Sequence, residues 1–140
     1  MSAYDPQNIF AKILRGEIPC HKICEDDYTL AFMDIMPQTE GHSLVLPKTG
    51  SRNLLDADPK VFTPLMTTVK RIALASQKAF NADGILIMQF NEPAAGQTVF
   101  HLHVHVIPRK QGVTLKSHGR ETADHAVLAK YAEMIRAELQ

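Results

Sequence analysis

Surplus charge of either sign is missing from this chain: 15 basic residues face 15 acidic ones. Without a basic excess there is no polyelectrolyte footprint for DNA or RNA, so no nucleic-acid partner is expected. Long apolar runs are missing too. None approaches the length that spans a bilayer, and Met1-Ser2-Ala3-Tyr4-Asp5-Pro6 lacks the basic-then-apolar order of a leader peptide. The expectation is a cytoplasmic protein with no membrane partner. Cysteine is scarce: Cys20 and Cys24 flank His21 and Lys22, with one residue more between them than a Cys-x-x-Cys pair has. Free thiols are expected rather than a disulfide or a thiolate centre. Internal repeats are absent, and 140 residues suit one domain, 1–140, large enough to bury a core.

The charge that is present is unevenly placed. Residues 1–58 hold five basic and nine acidic groups, and the remainder holds ten and six, an asymmetry that suits a small anionic ligand near the second half. That half contains His101-Leu102-His103-Val104-His105-Val106-Ile107. Strict alternation of histidine with aliphatic residues predicts a strand, with three imidazoles on one face and Leu102, Val104 and Val106 on the core side. Successive histidines would then stand about 6.6–6.8 Å apart and the outer two about 13 Å apart, from the rise of a strand. A metal that binds imidazole nitrogen at about 2.1 Å is strained to collect all three, although two plus a distant ligand could serve. A phosphate fits the spacing better. Interleaving inside the chain also sets the cluster apart from a contiguous, terminal purification tag.

Around this segment the periodicity predicts an α+β domain with helices segregated against one antiparallel sheet. Ile9, Phe10, Ile13 and Leu14 repeat at helical spacing before Arg15-Gly16, a short helix with a glycine stop. Lys22–Glu25 and Thr29–Ile35 read as a hairpin, and Ser43–Leu46 as a third strand ended by Pro47. Asp58-Pro59 opens the longest helix, whose apolar stripe is Phe62, Leu65, Met66, Val69, Ile72 and Ala73 and whose end falls at Asn81 and Gly84. Ile85–Phe90 starts apolar on both faces and so predicts a central or interface strand. The loop Asn91–Gln97 leads through Thr98-Val99-Phe100 into the histidine strand, which Pro108 would end. Arg109–Asp124 is a polar connection, and Leu128, Tyr131, Ile135 and Leu139 stripe a last helix. The core is placed at about 8–110 and the C-terminal helix at 122–139.

The pattern His-φ-His-φ-His-φ-φ, with φ aliphatic, resembles the signature of the histidine triad superfamily of nucleotide hydrolases and transferases. Three other segments share the likeness: Gly41-His42-Ser43-Leu44-Val45-Leu46-Pro47-Lys48, the loop Asn91–Phe100 with its Gly96-Gln97-Thr98, and Phe32-Met33-Asp34-Ile35-Met36-Pro37. The resemblance implies a five-stranded antiparallel sheet extended across a two-fold homodimer. It implies that His103 is the nucleophile that attacks an α-phosphorus, that His105 donates to the phosphate or leaving group, that His101 helps fix the tautomer of its neighbour, and that His42 joins the network. Imidazole suits such work because it is largely neutral near pH 7 and forms a phosphorus–nitrogen bond that water can break.

Substrate contacts follow from the same resemblance. Asn91, Gln97 and Thr98 would donate to phosphate oxygens, with Gly96 letting backbone amides approach an anion. Asp34 would accept the ribose hydroxyls, and Ile9, Phe10, Ile13, Phe32 and Ile35 would hold the base. Two departures from the family narrow the reading. Many bacterial relatives carry a Cys-x-x-Cys in the first helix that binds structural zinc, whereas Asn8 and Ala11 stand there in this chain, so neither metal nor cofactor is expected. Relatives of the short eukaryotic branch place a tryptophan near the leaving-group site, and this chain has none.

The sequence thus points to a purine nucleotidyl hydrolase or transferase acting on phosphoramidate or acyl-adenylate substrates through a nucleotidyl-His103 intermediate. Dinucleoside polyphosphate hydrolysis is the alternative within the enzyme class, since Gly96–Val99 through Pro108-Arg109-Lys110 looks like the fragile histidine triad branch. A nucleotide-binding regulator with incidental turnover is the alternative outside it, and a metalloprotein using two strand histidines is a further one.

Overall fold

The structure is a computed structural model in which residues 1–116 and 121–139 are described; part of the polar connection Arg109–Asp124, residues 117–120, lies outside the described residues. Its strands are β1 (Lys22–Glu25), β2 (Thr29–Met33), β3 (Ser43–Pro47), β4 (Gly84–Met88) and β5 (Val104–Arg109), and its helices are α1 (Ile9–Leu14), α2 (Phe62–Ala79) and α3 (His125–Ala137). The five strands form one antiparallel sheet in the order β1-β2-β3-β5-β4. This is the expected α+β class.

Local chemistry sets the boundaries. Asp26 turns the β1–β2 hairpin by accepting from the amides of Tyr28 and Thr29 and from the Thr29 hydroxyl, a side chain standing in for backbone at the bend. Asn8 caps α1 by accepting from the Ala11 amide at 2.9 Å. Asp58 caps a 3₁₀ turn, Pro59–Val61, that leads into α2. Asn81, at φ 49°, takes the chain out of that helix, whereas Gly84 opens β4 instead of closing the helix.

Alternation along the strands divides the core in two. Ile23, Ala31, Met33, Val45, Val104 and Val106 face α2 and α3, packing on Leu65, Val69, Ile72, Leu128, Ala132 and Ile135. On the opposite face Leu30, Phe32, Leu44 and Leu46 pack with Phe10 of α1. The long helices therefore share one side of the sheet, as expected, while the short α1 crosses the other. That second face is the one His103 and His105 share.

Three expectations are corrected. The histidine strand does not begin at His101: only Val104–Arg109 is strand, and His101–His103 is an extended lead-in. The β3–β5 register pairs Val45 with Val104 and would set Leu102 opposite Pro47, which has no amide to continue the ladder. The Leu102 amide donates instead to the Ser51 carbonyl at 2.9 Å. Second, Pro108 does not end β5 but pairs with Ile85. Asp83 N–H donates to the Arg109 carbonyl, so alternation turns the Pro108 nitrogen toward β3, whose pairing stops at Val106. Third, of the two alternatives for β4, central or interface, the central one falls: among the described residues it is an edge strand, half-buried.

Candidate active site

A cavity of about 380 Å³ opens between α1, the 18–20 segment, the end of β2 and the histidine segment. Its lining includes Ile9, Phe10, Ile13, Phe32 and Ile35, all expected at the base, together with Asp34, Thr98, His103 and His105. Ile9 and Ile35 are 44% and 40% exposed, so this wall keeps apolar side chains open to solvent. Phe10 stands edge-on to His103, with ring centroids 4.8 Å apart, and to Phe32.

Each histidine has its proton placed by a neighbour that can act in only one sense. His103 Nδ1 lies 2.6 Å from the His101 carbonyl oxygen. A carbonyl only accepts, so Nδ1 carries the hydrogen and the lone pair is on Nε2. The Gln38 amide donates to His42 Nδ1 at 3.0 Å, so the His42 hydrogen is on Nε2, 2.9 Å from His105 Nδ1. His105 Nδ1 accepts it, which leaves the hydrogen of a neutral His105 on Nε2. His101 Nε2 donates to the Pro47 carbonyl at 2.8 Å, and its Nδ1 accepts from the Tyr4 hydroxyl at 2.8 Å. Burial holds the His101 ring below the ordinary histidine pKa, opposed only in part by the Pro47 contact. The expected fixing of the His103 tautomer by His101 thus runs through backbone, and the His101 ring itself is fully buried away from the cavity.

Asp34 sits just past β2 with one oxygen accepting from the Met36 amide at 2.8 Å and the other 3.4 Å from His42 Nε2. The expected ribose acceptor is therefore also a member of the histidine network. Asp34, His42 and His105 bring their ligand atoms within 4.8 Å of one another, a spacing that a cation could bridge. The Gln38 amide argues against one: it keeps the lone pair of neutral His42 on Nδ1 and the hydrogen on Nε2, where a metal would need to bind. The family's zinc in the first helix does not fit either. Asn8 is engaged as a cap and Ala11 has no ligand atom, while Cys20 and Cys24 are free thiols raised in pKa by burial.

The loop before the lead-in departs most from expectation. Thr98 reaches the cavity, but Asn91, Gly96 and Gln97 are not part of its wall. Gln97 is buried and uses its amide inside the loop: its oxygen accepts from Glu92 N–H and Asn53 Nδ2, and its nitrogen donates to the carbonyls of Arg52 and Val99. Asn91 exchanges hydrogen bonds with Gln89 and accepts from the Leu54 amide. Gly96, at φ 101°, closes the 3₁₀ turn Pro93–Ala95 in a conformation that side chains rarely adopt. Of the three expected phosphate donors, Thr98 lines the cavity, while Asn91 and Gln97 direct their amide groups into the loop and its neighbours. Sequence reading missed Arg52 and Asn53, which brace this loop from the 51–56 segment, and Glu92, the loop carboxylate they hold. It also missed Tyr4, Gln38 and Phe90, the last with its ring 5.5 Å from that of His105. Tyr4 meets His101 from 97 residues away, which no spacing signals, whereas Gln38 lies only four residues before His42 and acts through its backbone amide, which residue type does not reveal.

Comparison with known proteins places this arrangement. A family model described as the HIT domain matches residues 15–112. The chain is 37% identical over 139 residues to the adenosine 5′-monophosphoramidase HNT1 of Saccharomyces cerevisiae, covering 97% of this chain and 85% of that protein. It is 42% identical over 103 residues to the adenylylsulfatase HINT3 of Arabidopsis thaliana, covering 74% of this chain. The match spans about half, 52%, of that longer relative. Among solved structures, a Hit-like protein of Bartonella henselae, crystallised with an unknown ligand, superposes with a TM-score of 0.95 at 54% identity, covering 99% of this chain and 100% of that one. A zinc-bound histidine triad protein of Mycobacterium smegmatis superposes at 0.84 and 35% identity, covering 94% and 92%. A domain match over most of the chain, joined to relatives this similar along nearly its whole length, makes the chain a member of the HIT family.

Proposed function

We propose that this protein binds purine nucleotides and cleaves them at the α-phosphate, releasing an amine or acyl leaving group through a nucleotidyl-His103 intermediate. The observation that carries the reading is the hydrogen of His103 Nδ1, held on the His101 carbonyl at 2.6 Å, which puts the nucleophilic lone pair on Nε2 of a cavity residue. The phosphorus–nitrogen bond forms as the bond to the leaving group breaks. His105 offers its Nε2–H to a phosphate oxygen or to the departing atom. Water then displaces His103, returning the proton that the amine carried away.

The open apolar wall suits a purine, Asp34 suits ribose hydroxyls, and Thr98 suits a phosphate oxygen. A phosphoramidate is favoured by the likeness to the yeast monophosphoramidase, which extends along 97% of the chain. The assembly proposed is a two-fold homodimer and the compartment the cytoplasm, in keeping with two free thiols.

The test is a leaving-group panel of adenosine 5′-phosphoramidate, an aminoacyl adenylate, adenylyl sulfate and diadenosine polyphosphates. His103→Ala is expected to lose turnover by several orders of magnitude while AMP affinity stays within about tenfold, or about 1.4 kcal/mol. Rapid-quench mass spectrometry of the parent protein should find one added nucleotidyl group on the peptide that contains His103. Parental turnover by His103→Ala, or an adduct mapped elsewhere, would refute the mechanism. Preference for diadenosine polyphosphates would reassign the substrate, and tight binding with negligible turnover on every compound would leave a regulator.

A further inference from the structure

The nucleophile is oriented by a single peptide plane. The carbonyl of His101, which accepts from His103 Nδ1–H, and the amide of Leu102, which donates to the Ser51 carbonyl at 2.9 Å, belong to the same planar unit. Whatever fixes that plane fixes the direction of the His103 lone pair.

Tyr4 touches the His101 side of this plane and the residue next to its Ser51 support. Its hydroxyl lies 2.8 Å from His101 Nδ1, and because His101 Nε2–H is committed to Pro47, Nδ1 is an acceptor that needs a donor. The ring of Tyr4 also lies over Gly50, next to Ser51: a Cβ built on Gly50 would come within 2.7 Å of the Tyr4 ring. His101 is fully buried, so this acceptor has no access to bulk water in place of the phenol. With one nitrogen donating to Pro47 and the other accepting from Tyr4, His101 also has no lone pair to offer a metal.

We propose that Tyr4 is a positioning residue for the nucleophile, bracing through His101 and the Gly50–Ser51 turn the peptide plane that holds His103. The proposal rests on the reading of His103 as the nucleophile. Tyr4 touches no substrate in this scheme; it acts through a hydrogen bond and a packed ring, at a point where an error of an ångström in the attacking atom is costly.

Variants at three positions test it in the full chain, with adenosine 5′-phosphoramidate as the probe. Tyr4→Phe, which removes only the hydroxyl, is expected to lower kcat about tenfold or more with KM within about twofold. Nitrogen-15 NMR of the imidazoles should show the His101 Nδ1 signal shifting as it loses its donor, and the His103 signals shifting with it. Gly50→Ala should displace the ring and reproduce the loss, yet add nothing in a Tyr4→Ala background. Tyr28→Phe, which alters an exposed hydroxyl, should match the parent. The proposal is overturned if Tyr4→Phe retains parental kcat and imidazole spectra. It is equally overturned if kcat, KM and melting temperature fall together with the His103 tautomer unmoved, or if Gly50→Ala costs as much without Tyr4 as with it. Failure of the nucleophile reading is a separate result, seen as parental turnover by His103→Ala, and the imidazole spectra report on the brace regardless.

Discussion

One backbone amide decides the proton inventory of the site. Because Gln38 N–H points at His42 Nδ1, His42 acts as a donor to His105, and His105 in turn keeps its hydrogen on the nitrogen available to the substrate. His42→Ala removes that donor. The expected result is a fall in kcat of about ten- to a hundredfold with KM little changed, below the loss of about 10²–10⁴ typical of removing a proton donor itself; steady-state kinetics on the phosphoramidate checks it. His101 makes a second prediction at this scale. Its folded pKa is lowered from the ordinary 6.5, so the unfolded chain binds the proton more readily and stability is lost as pH falls below about 6.5. Glu25 adds a separate acid window. Lys22 and Lys48 hold its carboxyl at about 2 against an ordinary 4.5, so its contribution is present above about 4.5 and lost as pH falls from there toward 2. With that side chain 35% exposed, solvent screening makes this second step the smaller. Thermal melts across pH 3–8 should show both declines on the acid side, and a melting temperature that rises from pH 7 to pH 5 would contradict the first.

At the scale of elements, periodicity is legible wherever one face is buried, because burial leaves its mark at every second or every third and fourth residue. The helix stripes, the hairpin and the alternation of Leu102, Val104 and Val106 onto the core all follow that rule. Alternation reports an extended chain, however, not a paired one, which is why His101–His103 read as strand although Pro47 cuts the ladder short. The loop Asn91–Gln97 was read by residue type, and type does not say which way a polar side chain turns. Glu92 adopts φ 77° and ψ 157°, a region nearly reserved for glycine and costing of order 1–3 kcal/mol. It is held there by Gln97 on its amide and by Arg52 and Asn53 on its carboxylate. Gln97→Ala removes four hydrogen bonds from this buried junction. A loss of about 2–4 kcal/mol is expected in urea unfolding, from about 1 kcal/mol per bond. It should come with a raised KM as Thr98 loses its support. An unchanged urea midpoint would show that the loop does not depend on this amide.

For the molecule as a whole, the sheet leaves one strand to be accounted for. β4 is an edge whose outer amides and carbonyls have no strand beside them among the described residues, and such edges recruit another strand unless they are blunted by charge, proline or cover. Gly84-Ile85-Leu86-Ile87-Met88 carries none of the blunting residues. Ile87 pairs with Val106, which packs on the α2 side of the sheet, yet it is 41% exposed. Met66 and Leu74 leave α2 itself with exposed apolar side chains, at 47% and 52%. A second copy related by a two-fold axis would meet the same edge and helix, which makes the contact self-complementary. Light scattering at micromolar concentration should therefore give twice the 15.6 kDa of the chain. Ile87→Lys, which places a charge on the edge without entering the catalytic cavity, should shift the protein toward the monomer, and the shift should reverse as concentration rises if the monomer stays folded. A parent protein that runs as a monomer throughout that range would mean that β4 is protected by some other means and that the sheet ends within one chain.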